Sequence, residues 1–83
     1  MRAILDVKAY VVLDPGGKPC AVTLHLDAAY SIIEDMVYSC AEAPNMLKYV
    51  STRLARGRAP KYSTVTYKDI RDDVETSYTV WKL

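Results

Sequence analysis

The sequence predicts a two-layer α+β fold, in which an antiparallel sheet of two hairpins packs against a helical hairpin in the order β-β-α-α-β-β. Three observations support this class. Apolar and polar residues alternate on both sides of a glycine- and proline-rich segment near the N-terminus. Apolar residues recur at three- and four-residue spacing in the middle of the chain, and the C-terminal part is rich in Tyr, Thr and Val. A chain of 83 residues has room for one modest core, so we expect residues 1–83 to form a single domain.

The first hairpin is predicted from strict alternation over residues 3–13 and 20–26. Residues 14–19 between them combine proline, which fixes φ, with two glycines, which accept positive φ. If Leu13 pairs with Cys20, both strands place their apolar side chains on one face of the sheet, as a stable register requires.

Two helices are predicted in the middle of the chain. Asp27 can cap a first helix that begins at Ala28 and is broken at Ala43-Pro44. Pro44 then suits the first turn of a second helix, which Gly57 ends. The apolar stripe of this second helix would consist of Met46, Leu47, Val50 and Leu54.

The second hairpin is predicted from β-favouring residues, with strands over 62–71 and 74–82 joined by a two-residue aspartate turn. This turn pairs Tyr67 with Tyr78 and matches the faces of both strands. A helix over part of 67–77 is an alternative, because apolar residues there also fit helical spacing.

The ends and the cysteines indicate a cellular location. Charged residues interrupt the N-terminal apolar residues, and no apolar stretch reaches the ~18 residues that a membrane span needs, so we expect no signal peptide and no membrane partner. The protein is then expected in the cytoplasm, which for a viral protein is that of the host cell. There Cys20 and Cys40 would be free, buried thiols, with a disulfide as the alternative.

Few residues could carry catalysis. The single histidine, His25, is predicted on the polar face of the second strand, and no nucleophile is placed beside it. Spacing typical of a zinc site is missing, and the carboxylates of Asp69, Asp72 and Asp73 are interpreted as solvated turn residues. We therefore expect a protein that is not an enzyme and that uses no metal or cofactor.

Charge is strongly segregated along the chain, although the formal net charge is only +1. Residues 1–43 contain three basic and six acidic side chains, and residues 69–83 contain two basic and four acidic ones. Residues 44–68 contain six basic side chains and no acidic one. A small net charge thus results from cancellation between acidic and basic segments.

The basic segment is the candidate binding site, because its cations are interleaved with outward tyrosines. Such a combination suits a phosphate backbone or an acidic protein groove. Cations at a helix C-terminus also complement the helix dipole, so a purely structural role is the alternative. The predicted binding residues are Lys48, Tyr49, Arg53, Arg56, Arg58, Lys61 and Tyr62.

The sequence favours a small binding protein that docks on a larger protein or nucleoprotein complex. Seven tyrosines, several at outward positions, are typical of interaction surfaces. In size and style the chain is similar to the small single-domain inhibitors that phages use against bacterial defence, including anti-CRISPR proteins, although no motif carries this similarity. The main alternative is a nucleic-acid-binding module that uses residues 48–61, and a third hypothesis is a homodimer assembled through complementary faces or edge strands.

Overall fold

The computed structural model describes residues 9–55 and 61–83. Within them, five strands form one antiparallel sheet in the order β2-β1-β5-β4-β3, and one α-helix packs on it. The elements are β1 (Tyr10–Leu13), β2 (Pro19–Thr23), α1 (Leu26–Cys40), a 3-10 helix (Pro44–Met46), β3 (Leu47–Leu54), β4 (Lys61–Asp69) and β5 (Val74–Lys82). The α+β class is confirmed. The predicted order is wrong, because the described elements follow the order β-β-α-β-β-β with a single α-helix.

The first hairpin is confirmed as the antiparallel pair β1 and β2. Its register differs from the prediction at the turn, where Leu13 pairs with Pro19 rather than with Cys20. An irregularity between Val12 and Leu13 causes this shift. Residues 3–8, which the alternation assigned to the first strand, lie outside the described residues.

The core lies on the face of the sheet that contains Val12 and Ala21. Val12 is fully buried against α1, whereas Val22, on the opposite face, remains 67% exposed. The alternation assigned Val11 and Val22 to the apolar face of the hairpin, and this assignment is wrong, because α1 covers the opposite face. Val11 and Val12 are both apolar, so alternation does not show which of the two is buried. We call the face opposite α1 the far face. Its residues include Val11, Val22, Lys48, Ser51, Arg53, Thr64, Thr66, Lys68, Glu75, Ser77, Thr79 and Trp81.

The first predicted helix is confirmed, and it begins two residues earlier than expected, at Leu26. His25 is its extended N-cap residue and belongs to no strand, which corrects the predicted position of this histidine. Asp27 lies in the first helical turn, where its negative charge complements the helix dipole. The residues of α1 that are buried against the sheet are Ala29, Ile33 and Val37.

The second predicted helix is wrong, because residues 47–54 form the strand β3, antiparallel to β4. Pro44 does occupy a first helical turn, but the helix that it starts is a single 3-10 turn. Tyr49, Val50 and Thr52 favour extended structure, and pairing along β4 adds a ladder of hydrogen bonds that an isolated helix cannot match.

The second hairpin is confirmed, and it excludes the helical alternative over 67–77. Its register is shifted by two residues, so that Tyr67 pairs with Thr76 rather than with Tyr78. A shift of two residues leaves every side chain on its predicted face. The cause is a longer turn, over residues 70–73, in place of the predicted two-residue turn.

Asp69 and Asp73 organise this turn. The Asp69 carboxylate accepts a hydrogen bond of 2.9 Å from the backbone N–H of Arg71, and the Asp69 carbonyl accepts one of 2.8 Å from the N–H of Asp73. Asp73 adopts a left-handed conformation with φ of 63°, which aspartate tolerates better than most residues. The aspartates are therefore turn residues, as the sequence predicted.

The cysteines are free but exposed, which contradicts the predicted burial of both thiols. Cys20 lies in the edge strand β2, and its thiol donates a hydrogen bond of 3.3 Å to the carbonyl of Val12. Desolvation and the nearby Asp14 carboxylate raise the pKa of the Cys20 thiol. This cysteine is therefore held as a thiol and lacks the low pKa of a reactive nucleophile.

Candidate functional site

α1 covers only part of its side of the sheet. Its buried side chains pack on a core that contains Val12, Val65 and Val80, from β1, β4 and β5. β3 lies beyond β4 at the end of the sheet. Among its described residues, Leu47 is partly buried against this core and Tyr49 meets the core residue Tyr67. A groove therefore runs between α1 and the β3–β4 pair, on the same face of the sheet as the core.

This groove has a volume of 350 Å³, and we call it the tyrosine groove. Four of its seven lining residues are tyrosines, contributed by α1, β3 and β4. α1 contributes Tyr30, Glu34 and Tyr38, because residues four apart on an α-helix share a face. The lining residues are Tyr30, Glu34, Tyr38, Tyr49, Thr52, Val65 and Tyr67.

Tyr67 is the buried centre of the groove, with only 5% of its surface exposed. The ring of Tyr38 meets it edge-on at a centroid distance of 5.9 Å and an interplanar angle of 85°. The ring of Tyr49 does the same at 5.7 Å and 75°. Tyr38 is 36% and Tyr49 50% exposed, so these two rings stand at an angle to the buried ring and present aromatic surface to solvent.

Hydrogen bonds hold two of the tyrosine hydroxyls in place. The hydroxyl of Tyr30 shares a hydrogen bond of 2.9 Å with the hydroxyl of Ser63, a fully buried polar side chain of β4. The hydroxyl of Tyr49 shares one of 2.6 Å with Thr52 on the same strand. These hydrogen bonds restrict the orientations of the Tyr30 and Tyr49 side chains.

Among the described residues, Glu34 is the one carboxylate that lines the tyrosine groove, and it is exposed. Burial raises the pKa of the Tyr67 hydroxyl, and the charge of Glu34 raises this pKa further. Tyr67 therefore stays protonated at neutral pH, and Glu34 gives the groove a negative charge. No lysine or arginine in the described part of the chain lines the groove.

A second groove of 260 Å³ continues from Tyr67 towards the β4–β5 turn. We call it the acidic groove, because its lining includes the carboxylates of Glu42, Asp69 and Asp72. Arg71 binds Asp69 through a forked pair of hydrogen bonds, the shorter of 2.7 Å, and lies 3.9 Å from Glu42. These hydrogen bonds lower the pKa of Asp69 from 3.8 to about 2.

β3 adds a strand edge beside the tyrosine groove. Among the described strands it pairs on one side only, with β4. Val50 is 42% and Leu54 64% exposed on this strand, alongside Tyr49. An exposed edge with apolar side chains is a surface to which another chain can add.

The structure divides the predicted binding residues between the two faces of the sheet. Lys48 and Arg53 lie on the far face, whereas Tyr49 lines the tyrosine groove on the opposite face. Tyr62 packs edge-on against Tyr10 at 5.8 Å, away from that groove. Arg56 and Arg58 lie outside the described residues, as does the side chain of Lys61, whose backbone pairs with Trp81.

Sequence reasoning missed Glu34, Tyr38 and Tyr67 as members of one site. The signal that identifies them is partly local, because Tyr30, Glu34 and Tyr38 follow each other at four-residue spacing on α1. The opposite wall depends on residues 47–54 forming a strand, and helical spacing concealed that strand.

The remaining chemistry of the described residues is sparse. No three His, Cys, Asp or Glu side chains in residues 9–55 and 61–83 lie close enough together to hold a metal ion. In the same part of the chain, no helix is long and apolar enough to cross a membrane. Comparison of the chain with models of protein families, with curated proteins and with solved structures finds no match.

Proposed function

We propose that this protein is a non-enzymatic binding module that docks on a larger protein or nucleoprotein complex through the tyrosine groove and the outer edge of β3. The observation that carries this proposal is the group of exposed aromatic and apolar side chains beside a groove lined by tyrosines. Tyr38 and Tyr49 border the groove, and Val50 and Leu54 extend the surface along β3.

The residue types at this surface support binding rather than catalysis. Tyrosine brings a large, rigid contact area and a hydroxyl at a small entropic cost, which is why it is enriched in binding surfaces. Clusters of aromatic residues also supply most of the affinity of many protein interfaces. A small inhibitor of bacterial defence would use such a surface to cover part of its target.

A photo-crosslinking experiment tests this proposal. A benzophenone amino acid replaces Tyr49 in one variant and Val22, an exposed residue of the far face, in a matched control. Both proteins are irradiated in a lysate of the cell that naturally makes the chain. We expect one defined adduct from position 49 and none at that mass from position 22.

A second substitution in the same experiment gives the decisive control. Leu54→Glu places a charge on the exposed apolar edge of β3, at a residue that is 64% exposed and whose change should leave the fold intact. We expect it to reduce the yield of the position-49 adduct severalfold. Equal yield with Leu54→Glu, or an adduct formed only from position 22, would contradict the proposed surface.

The far face supports a second candidate function, nucleic-acid binding. Lys48 is paired with Lys68 across β3 and β4, and Arg53 shares their face with Trp81, whose ring is 37% exposed. Cations beside an exposed aromatic ring are typical of platforms for single strands. The far face also carries Glu75 directly opposite Lys68, so its positive charge is partly cancelled.

Salt dependence tests this candidate. Lys68 is held by Asp73 at 2.9 Å, which leaves Lys48 and Arg53 as the main phosphate contacts among the described side chains of this face. Two contacts predict that the affinity for oligothymidine falls with a log–log salt slope of about −1.4, since each contact with a single strand contributes about −0.7. The double variant Lys48→Gln/Arg53→Gln should abolish that slope. No binding of oligothymidine at low salt eliminates this candidate.

A further inference from the structure

We infer that the segment recognised by the tyrosine groove is an extended peptide of the partner, which adds to β3 as a sixth strand and places an arginine or lysine side chain against the tyrosine rings. This inference rests on the proposed function and names the chemistry of the partner. Three features of the described residues carry it: the charge of the groove, the orientation of its rings and the position of the free strand edge.

The charge of the groove selects a cation. Glu34 lies among the tyrosines, and α1 carries Asp27, Glu34 and Asp35 but no lysine or arginine over its whole length. The neighbouring acidic groove adds Asp72 and Glu42, of which Glu42 lies 3.9 Å from Arg71. A cationic side chain that enters from the β3 side would therefore approach a helix of uniformly negative side-chain charge.

The rings supply the second part of the recognition. A cation within about 6 Å of a tyrosine ring is attracted to the negative π face, most strongly where water is excluded. Tyr38 and Tyr49 stand at 85° and 75° to the buried ring of Tyr67, so the groove presents ring faces in more than one orientation. An acidic or purely aliphatic side chain would lose these attractions.

The strand edge explains how the cation reaches the groove. In an antiparallel sheet, side chains of paired residues project to the same face, and diagonal neighbours ~7–8 Å apart remain within reach of long side chains. A peptide paired with the outer edge of β3 would therefore place alternate side chains beside Tyr49 and Thr52 on the groove side. Its other side chains would lie beside Lys48 and Arg53 on the far face, where polar or acidic residues fit.

Titration with designed peptides tests the inference on the full chain. The ligand is a blocked heptapeptide with arginine at alternate positions and threonine between them, followed by NMR of the backbone amides and tyrosine rings. We expect shifts in β3 and in Tyr38 and Tyr49, with affinity about tenfold above that of a peptide with norleucine in place of arginine. A peptide N-methylated along one backbone edge should lose binding, because it cannot pair with β3.

Two matched variants distinguish the effect of the Glu34 carboxylate on peptide binding from the effect of the overall negative charge of α1. Glu34→Gln removes the groove carboxylate and should weaken binding of the arginine peptide about fivefold. Asp35→Asn makes the same change at the adjacent residue, which does not line the groove, and should weaken binding less than about twofold. Equal effects of the two variants would show that the helix charge acts only at long range and would overturn the inference.

The other outcomes are equally decisive. Preference for a glutamate or norleucine peptide, or the absence of shifts in β3 at millimolar arginine peptide, overturns the inference. A concentration-dependent dimer that Leu54→Glu abolishes assigns the edge to a second copy and also overturns it. If position 49 still gives its crosslinked adduct in these cases, the proposed function stands without this partner chemistry, whereas loss of that adduct contradicts the function itself.

Discussion

At the scale of single residues, Asp69 has the largest change in pKa on folding among the described residues. Its carboxylate accepts hydrogen bonds from the side chain and the backbone N–H of Arg71, which lower its pKa from 3.8 to about 2. A carboxyl group with a lowered pKa stabilises the fold while it is ionised. The stabilisation is fully present above about pH 4 and is lost as the pH falls towards 2.

The first prediction is therefore that wild-type stability falls more steeply between pH 4 and 2 than the stability of Asp69→Asn, in urea unfolding at each pH. Comparing the two proteins removes the contribution of the other carboxylates. Arg71→Ala is the control, and it should return the NMR-measured pKa of Asp69 towards 3.8. Parallel pH profiles for wild type and Asp69→Asn would show that the forked contact with Arg71 does not persist in solution.

A second residue-scale prediction concerns the buried hydroxyl of Ser63, which shares its hydrogen bond with Tyr30. Tyr30→Phe leaves that hydroxyl without its partner, at a cost of about 1–3 kcal/mol in the free energy of unfolding. Tyr49→Phe removes an equivalent hydroxyl from an exposed pair and should cost less than about 0.5 kcal/mol.

The double variant Tyr30→Phe/Ser63→Ala identifies the cause of that loss. It removes both hydroxyls, so it should be more stable than Tyr30→Phe alone if the unsatisfied Ser63 hydroxyl is responsible. Thermal and urea unfolding of the four proteins supplies the comparison. Equal losses of unfolding free energy in Tyr30→Phe and Tyr49→Phe would show that burial does not increase the contribution of the Tyr30–Ser63 hydrogen bond to stability.

At the scale of elements, β3 shows why part of the fold was not predictable from local sequence. Both hairpins were predicted, because proline, glycine and aspartate turns and alternating side chains are local signals. Residues 47–54 carry apolar residues at helical spacing together with β-favouring valine, threonine and tyrosine, so their local signals conflict. Pairing with β4, which is contributed by distant residues, decides the conflict.

The candidate site is also only partly predictable from local sequence. One wall of the tyrosine groove follows from the spacing of Tyr30, Glu34 and Tyr38 on a helix that the sequence does predict. The opposite wall, Tyr49 and Tyr67, comes together only because β3 pairs with β4. A helix over residues 47–54 would have directed Tyr49 to solvent, and the groove would not have formed.

The third prediction uses the opposite preferences of helix and strand at Thr52. In a helix, Thr52→Ala would raise stability, because alanine has the higher helix propensity by roughly 0.5 kcal/mol. In the strand β3, the same change should lower the free energy of unfolding by up to ~1 kcal/mol, because a β-branched residue is lost. The sign of the change in the free energy of unfolding, measured by urea unfolding, distinguishes a helix from a strand at Thr52.

Thr52→Val is the control for this prediction, because it keeps the β-branch and removes only the hydroxyl that contacts Tyr49. We expect it to be close to wild type or slightly more stable. Stabilisation by Thr52→Ala would mean that residues 47–54 are helical in solution. Neither the tyrosine groove nor the edge of β3 would then exist.

At the scale of the whole molecule, stability should be graded across the sheet. The sheet side chains that are buried in the core with α1 belong to the three middle strands. They are Val12 on β1, Val80 on β5 and Val65 on β4. β3 is bound to the rest of the described structure mainly through β4, and much of its side-chain surface is exposed. A strand at the edge of a sheet can open without disturbing a core to which it contributes little.

The fourth prediction follows for amide hydrogen exchange measured by NMR. Paired amides of β5 should exchange only through global unfolding, whereas those of β3 should exchange faster, through local opening. Ile33→Ala, which removes a fully buried side chain of α1, should reduce the exchange free energy of β5 by about 2–5 kcal/mol and leave that of β3 unchanged. The half-buried Ile32 supplies the matched control, and Ile32→Ala should cost less. Uniform protection of β3 and β5, falling together in Ile33→Ala, would show that the sheet unfolds as a single cooperative unit and would contradict the graded stability.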